Sequence, residues 1–211
     1  PASKQWTPHV LFRLGEYAFN HGDYKEAEKQ FVNISTVYTN DTLAPAAILA
    51  AGESAAKQKE YLAAIEYFAS LVKKYPGWEK LAKARYEQGD ATVELGEYAK
   101  AILIFEEIIN NYGNSDLVDM AWCRKGDCEF ALGPGDTNRY ETAIASYKYV
   151  VDRPIAAPDL KLQAQYKTGA CLVKMQRHED AIEQLYTKVM IPYLDDPTRR
   201  LREYPACEIW F

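Results

Sequence analysis

The chain has 211 residues, of which 48% are hydrophobic and 26% are charged, and its formal net charge is −5. An acidic balance speaks against recognition of a nucleic-acid phosphate backbone, which requires a basic face. No run approaches the roughly 18 uninterrupted apolar residues that a membrane-spanning helix needs. We therefore expect one helical domain over residues 1–211, with neither nucleic acid as a partner nor a transmembrane segment.

A set of glycine, alanine and aromatic residues recurs along the chain. The first copy reads Gly15-x6-Gly22-x-Tyr24-x2-Ala27-x3-Phe31. Consecutive helix glycines are 37 residues apart three times and then 43 residues apart; they are Gly15, Gly52, Gly89, Gly126 and Gly169. A period in this range predicts a solenoid of helical hairpins, each of which needs its neighbours to bury its apolar face.

The helix glycines lie inside amphipathic stretches, where glycine costs about 1 kcal/mol relative to alanine. A close crossing of two helices offsets such a cost, and the alanines of the second helix supply matching small residues. We therefore predict that Gly52 packs against Ala64 and Gly89 against Ala101. Glycines seven positions after a helix glycine are predicted to end the first helix in the left-handed conformation; they are Gly22, Gly96 and Gly133.

The pattern predicts ten helices, near residues 8–21, 24–38, 44–57, 60–75, 79–95, 98–112, 116–132, 139–152, 158–176 and 178–191. There is no strand-like alternation of useful length. All ten prolines are predicted to lie at helix starts or in connections, and none in a helix interior.

These residues resemble the tetratricopeptide repeat, whose helix pair carries a small residue in the first helix, a Gly-x-Tyr turn, and an alanine and an aromatic in the second. The resemblance implies an all-α fold, a right-handed α-solenoid of about five hairpins. The repeats fall near 8–40, 44–77, 79–114, 116–154 and 158–193, and 194–211 is interpreted as the start of a truncated further repeat. Long connections such as Tyr75-Pro76-Gly77-Trp78 are similar to those of bacterial cell-envelope members, which include the Tol–Pal coordinator and the lipoprotein of the outer-membrane assembly machine.

Both ends of the sequence are interpreted as cut from a longer parent. The chain begins Pro1-Ala-Ser-Lys, without an initiator methionine. Trp210 is interpreted as the counterpart of Trp122 in a sixth repeat. We expect a periplasmic or envelope-associated protein, and the cytoplasm stays open.

The resemblance also implies which positions of each first helix face the concave groove. Applied to this chain, it predicts that aromatic and acidic side chains bind a partner there: Phe12, Glu16, Phe19, Glu53, Tyr86, Asp90, Asp127, Phe130 and Tyr166. The acidic members form a predicted ladder at repeat spacing. Such a surface suits an extended or helical peptide, or a protein, with basic and apolar side chains.

The alternative for this ladder is a neutralised charge pattern that binds nothing. Basic residues on the same or neighbouring helices could pair with the carboxylates; they are Lys83, Arg85, Arg124 and Lys125. Exposed ion pairs are common and individually contribute little.

Nothing in the sequence indicates an enzyme, a metal site or a cofactor. The chain has no HExxH motif, no Cys/His ligand spacing and no nucleophile elbow. Cys128 and Cys171 occupy equivalent repeat positions, about a helix diameter apart, which is too far for a disulfide. We therefore expect a non-catalytic interaction scaffold in envelope assembly. The alternatives are a structural subunit that assembles through its convex face or repeat ends, and the accessory helical region of a larger envelope enzyme.

Overall fold

The structure is a computed structural model that describes residues 2–195, and it describes the side chains of residues 7–192, 194 and 195. Ten helices follow one another: α1 (Ala2–Asn20), α2 (Tyr24–Val37), α3 (Ala44–Lys57), α4 (Tyr61–Lys74), α5 (Leu81–Glu94), α6 (Tyr98–Asn111), α7 (Val118–Leu132), α8 (Asn138–Asp152), α9 (Pro158–Lys174) and α10 (His178–Leu185). A π-helical turn, Tyr186–Met190, and a short α11, Ile191–Leu194, continue α10.

The described helices pack sequentially as five helical hairpins, and no strand occurs within residues 2–195. The predicted all-α fold of about five hairpins is thus confirmed. Contacts divide the chain into two compact units, residues 1–104 and 105–211, with the boundary inside α6. The hand of the superhelix and the single-domain assignment stay predictions. The proposed sixth repeat falls, apart from its first two positions, outside the described residues.

Helix glycines make room for the large side chain of the paired helix. A Cβ atom at Gly52 would lie 2.5 Å from the ring of Phe68, and one at Gly126 would lie 2.6 Å from the ring of Tyr147. The three atoms nearest to a Cβ at Gly52 all belong to Phe68, so the predicted packing of Gly52 against Ala64 stays a prediction. Ala64 is fully buried, but the fully buried ring of Phe68 takes the space that the missing Cβ leaves. The pairing of Gly89 with Ala101 stays a prediction.

The turns inside the hairpins share a left-handed residue seven positions after the helix glycine. Gly22 and Gly96 have φ values of 81° and 73°, as predicted. Lys59 and Gln176 take the same role in repeats two and five, with φ values of 64° and 59°. The prediction for Gly133 was wrong, because this residue is right-handed at φ −54°. The ring of Tyr140 occupies the site where a Cβ of residue 133 would lie.

Pro8 departs from the predicted pattern of prolines, because it lies inside α1 rather than at a helix start. The predicted start at residue 8 was wrong by six residues, since α1 begins at Ala2. Pro45 and Pro158, in contrast, occupy the first turns of α3 and α9, where their missing N–H groups leave no bond unmade.

Each unit has its own core at the seams between hairpins. In the first unit, Phe31 and Ile34 of α2 pack with Ala47 and Ala51 of α3. In the second unit, the corresponding cluster is built from α7, α8 and α9 and includes Cys123, Tyr140, Ala143, Tyr147, Val150, Ala164 and Cys171. Stacking therefore places small residues of a first helix against large residues of a preceding second helix, which fixes the faces that remain for binding.

Candidate partner-binding surface

Four of the predicted groove residues line one cavity of about 280 Å³ in the first unit. Phe12, Glu16 and Phe19 come from α1, and Glu53 comes from α3. The remaining wall is formed by Asn20, Phe31, Ala46, Leu49, Ala50, Trp78 and Lys80. The cavity thus combines an apolar interior with two carboxylates and one ammonium group.

The two α1 aromatics of the cavity are each held in place by a ring of α2. Phe12 meets Phe31 edge to face, with ring centroids 5.2 Å apart, and Phe19 meets Tyr24 in the same way at 5.2 Å. Both α1 side chains are half-buried. Because their rings are fixed on one side and open on the other, they offer a preorganised apolar surface at low entropic cost.

An excess of negative charge surrounds the second carboxylate of the cavity. Lys83 Nζ lies 2.6 Å from Glu53 Oε1 and forms an ion pair with it. Burial raises the pKa of Glu87, and the neighbouring carboxylates of Glu53 and Asp90 raise it further. Lys57 and Lys83 oppose this effect but do not cancel it. Three carboxylates, those of Glu53, Glu87 and Asp90, thus lie close enough to influence one another.

The first carboxylate of the ladder is more weakly held. Arg13 Nη1 donates to Glu16 Oε2 at 2.9 Å, across one turn of α1, and the Arg13 side chain is 84% exposed. An exposed pair of this kind contributes little to stability and is readily exchanged for another partner. Glu16 is consequently available to an incoming cation.

Asp127, in the second unit, is a structural residue as well as a predicted binding residue. Lys167 Nζ donates to both of its carboxylate oxygens, at 2.6 and 2.8 Å, and the buried Tyr147 hydroxyl donates to Oδ1 at 2.8 Å. Arg124 Nη1 lies 3.6 Å from Oδ2. Burial raises the pKa of Tyr147, and Asp127 raises it further. We therefore expect a substitution at Asp127 to lower stability, because this carboxylate anchors the buried Tyr147 side chain.

The remaining predicted residues lie at separate places. Tyr86 and Asp90 are half-buried on α5 of the first unit, and both take part in further interactions. Phe130, on α7 of the second unit, packs edge to face on Tyr140 with centroids 5.4 Å apart. Tyr166, on α9, packs against the buried pair Leu162 and Val189. The predicted residues on α1 and α3, in contrast, converge on a common cavity of the first unit.

Neutralisation, the alternative left open for the ladder, is seen in both units. Glu16 pairs with Arg13, Glu53 with Lys83, and Asp127 with Lys167. Lys125, one of the basic residues considered for this role, instead pairs with Glu129 at 2.8 Å. In the first unit, Glu16 and Glu53 are also the ladder carboxylates that line the cavity.

Among the cavity residues that the sequence did not predict, two come from a connection between helices. Trp78 and Lys80 belong to the connection between α4 and α5, and both line the cavity. The repeat pattern assigns a facing side only to positions within helices. It therefore does not predict which way a side chain in a connection points. The large apolar side chain of Trp78 in this connection was the available signal that the connection contributes to a surface.

Within residues 2–195 no group of three or more His, Cys, Asp or Glu side chains could hold a metal ion. Cys123, Cys128 and Cys171 are buried, and none of them forms a disulfide. Burial raises the pKa of the Cys123 and Cys171 thiols to about 12. Both thiols are therefore protonated at neutral pH and are poor nucleophiles. No described helix combines the length and the apolarity that a membrane crossing requires.

The fold and the cavity define a helical-repeat protein with a ligand-sized recess on its first helices. Residues 12–79 and 49–116 match the tetratricopeptide repeat family, so the first three hairpins are covered. Residues 12–116 therefore belong to the tetratricopeptide repeat family, a class of protein-binding scaffolds whose fold is typically non-catalytic. No curated protein matches the chain.

Solved structures with the same fold cover nearly the whole chain. A crystal structure of MamA aligns with a TM-score of 0.74 and 17% identity, over 95% of this chain and all of that one. MamA from Desulfovibrio magneticus RS-1 gives 0.71 and 17%, over 90% and 97%. The TPR-like repeats of a kinesin light chain of Podosopora anserina give 0.69 and 12%, over 91% and 96%. At these identities the likeness shows the fold alone.

Proposed function

We propose that the first unit binds a peptide segment of a protein partner, with an apolar side chain of that segment in the cavity and a basic side chain beside it. The observation that carries this proposal is the convergence of Phe12, Phe19, Glu16 and Glu53 on one recess. The fixed aromatic rings supply the apolar contact, and the two carboxylates supply the charge that selects the partner.

Charge supports a basic partner rather than an acidic one. Burial raises the pKa of Glu87, and the neighbouring carboxylates of Glu53 and Asp90 raise it further. A lysine or arginine side chain that enters the cavity adds positive charge beside Glu53, and the net charge of −5 attracts a basic segment over a longer distance.

The proposal is tested by panning a random peptide-display library against the 211-residue chain. We expect selected peptides to combine basic with aliphatic or aromatic residues and to bind less well as salt rises. The double variant Glu16→Gln, Glu53→Gln keeps the shape of the cavity and should weaken these peptides about tenfold. Glu66→Gln, on the exposed face of α4, is the matched control and should leave binding unchanged.

A second variant separates the apolar contact from the charges. Phe19→Leu should weaken the selected peptides without changing their salt dependence, because it removes a ring and no charge. The proposal is overturned when no basic consensus emerges, or when the selected peptides bind the double glutamine variant as tightly as the original chain.

The setting that we propose is the assembly of the bacterial envelope, with the chain as a non-catalytic scaffold there. Its support is the similarity of the connections between repeats, such as the stretch from Tyr75 to Trp78, to those of envelope members of the family. Fractionation of cells that express the full-length parent tests this setting. Recovery of the parent in the cytosolic fraction alone would refute it.

A further inference from the structure

The outward side of α1 carries an exposed apolar stripe. Val10, Leu14 and Tyr17 are 56%, 51% and 65% exposed, and His21 continues the stripe with its ring stacked on Tyr17 at a centroid distance of 4.0 Å. Between this stripe and α2 lies a cavity of about 330 Å³ lined by Leu14, Tyr17, Ala18, His21, Asp23, Glu26 and Gln30. Three large apolar side chains in one row at the surface call for a covering partner.

The same side of the later first helices is buried in the stack of hairpins. Five positions before the helix glycine, where α1 has Val10, the other repeats have Ala47, Ala84, Ala121 and Ala164, all fully buried. Two positions after it, where α1 has Tyr17, they have Ser54, Ala91, Cys128 and Cys171, all buried. The stripe is thus the counterpart of a stacking face, but it has large residues where the buried faces have small ones.

Because of this size difference, a hairpin like those inside the stack cannot pack on the outward face of α1. In the stack, α2 brings Phe31 and Ile34 onto the small residues of α3. An equivalent helix laid on α1 would collide with Val10 and Tyr17, because packed interiors do not absorb such added volume. The occupant must instead be a helix whose side chains interlock with a protruding apolar row.

The spacing of the stripe specifies such a helix. Val10, Leu14, Tyr17 and His21 follow one another at intervals of four, three and four residues, which is the a/d spacing of a coiled-coil seam. A seam of this kind pairs with a helix of the same spacing by inserting side chains into the gaps of the opposite row. Another copy of α1 meets that requirement by construction.

The charges beside the stripe allow two copies to approach. Arg13 pairs with Glu16 at 2.9 Å, and Lys29 of α2 pairs with Glu26 at 3.0 Å. Arg13 and Glu16 are therefore neutralised as a pair, as are Lys29 and Glu26, whereas Asp23 beside the stripe accepts from the Glu26 N–H. Two such faces bring together one such carboxylate per copy, and it lies beside the stripe rather than in it.

We propose that the chain forms a homodimer through the outward face of α1, with the stripe Val10, Leu14, Tyr17 and His21 of one copy packed against the same stripe of a second copy. This contact continues the stacking of hairpins across a two-fold axis. None of the four stripe residues lines the peptide cavity on the other side of α1. The dimer therefore does not depend on the proposed peptide binding.

Sedimentation velocity over a series of protein concentrations tests the proposal. The 211-residue chain should sediment as a concentration-dependent monomer–dimer equilibrium. The double variant Leu14→Glu, Tyr17→Glu should raise the dissociation constant by at least about 30-fold, which corresponds to hot-spot contacts. Leu62→Glu, at a side chain of α4 that is 68% exposed, is the matched control and should leave the dimer intact.

Leu14→Ala with Tyr17→Ala gives a second variant that adds no charge and keeps helix propensity. It should also shift the equilibrium to the monomer, while far-ultraviolet circular dichroism stays unchanged. Glu16→Gln with Glu53→Gln should leave the dimer intact, so failure of this proposal is distinct from failure of the peptide site. A chain that is monomeric at every concentration, or a dimer that the Leu14 and Tyr17 variants preserve, overturns the proposal.

Discussion

Glu129 is a buried carboxylate at a repeat position that is uncharged in the other hairpins. Neighbouring polar side chains pair with its charge. Glu129 is only 3% exposed; its oxygens accept from Lys125 Nζ at 2.8 Å and from the Ser146 hydroxyl at 2.7 Å. Lys125 also lies 3.6 Å from Glu106 and 5.3 Å from the centroid of the Trp122 ring. Removing Glu129 would leave the Lys125 ammonium with only the longer Glu106 and Trp122 contacts, and loss of one partner of a buried pair costs more than the pair contributes.

Glu129→Ala should therefore lower the free energy of unfolding by about 3 kcal/mol, measured by urea denaturation. The triple variant Lys125→Met, Glu129→Leu, Ser146→Ala removes all three polar partners together and should lose much less, because no polar group is then left unpaired. Equal losses in the single and triple variants would show that packing volume, rather than the uncompensated lysine, sets the cost.

Glu87 should make stability depend on pH in the acid range. Its pKa is raised by burial and by Glu53 and Asp90, so the folded chain keeps a proton that the unfolded chain has lost. Stability should then fall as pH rises from the unfolded pKa of about 4.3 through the higher folded pKa. Glu87→Gln should remove this fall and raise Tm at pH 7, whereas Glu66→Gln should not. A Tm difference between the Glu87 variant and the original chain that is the same at pH 4 and pH 7 would contradict this assignment.

At the scale of elements, the contact between a helix glycine and the paired aromatic decides how closely each hairpin closes. Gly52→Ala improves helix propensity by about 1 kcal/mol but places a Cβ 2.5 Å from the fully buried Phe68 ring. We expect a net loss of about 1–3 kcal/mol, because the ring has no free space to move into. The measurement is the midpoint of thermal or urea unfolding.

A double-mutant cycle identifies the cause of this loss. Phe68→Leu should be destabilising by itself and should reduce the penalty of Gly52→Ala, because the smaller side chain leaves space for the new Cβ. The fifth repeat already has this combination of glycine and leucine, as Gly169 and Leu185. Additive effects of the two substitutions would place the strain elsewhere.

The left-handed turn residues offer a gain in stability. Lys59 adopts φ 64°, a region that costs a residue with a side chain about 1–2 kcal/mol, and Gly22 and Gly96 occupy the same position without that cost. Lys59→Gly should stabilise the chain by about 0.5–1 kcal/mol after the greater backbone entropy of glycine is subtracted. Gly96→Ala should lower Tm, and Gly77→Ala, at a glycine without positive φ or close contacts, is the control.

Much of the element order follows from the sequence because the repeat fixes it. The fixed spacing from Gly15 to Phe31 sets where one helix ends and the next begins, and eight of the ten predicted helices agree with the structure to within two residues at each end. Glu129 could also have been found, because the same column holds the buried Ala18, Ala55, Thr92 and Leu172. A carboxylate in that column requires a buried partner.

Other features could not be predicted from the sequence, because they depend on contacts between residues that are far apart in the chain. The 2.5 Å distance from a Cβ at Gly52 to the Phe68 ring depends on where the folded hairpin places that ring. The right-handed state of Gly133 follows from the lengthened turn, where Asp136 N–H donates to the carbonyl oxygens of Leu132 and Gly133. Trp78 reaches the cavity through the path of a connection, for which the repeat gives no rule.

At the scale of the whole molecule, the distribution of cysteine separates the two compact units. All four cysteines lie beyond residue 104, and the three described ones, Cys123, Cys128 and Cys171, are buried in the second unit. With Cys207 replaced by serine, a thiol reagent can react only after this unit opens. The rate of modification therefore measures the opening of residues 105–211 without any signal from residues 1–104. If modification is much faster than global unfolding, half of the array opens by itself; if the two rates agree, the repeats unfold as one cooperative body.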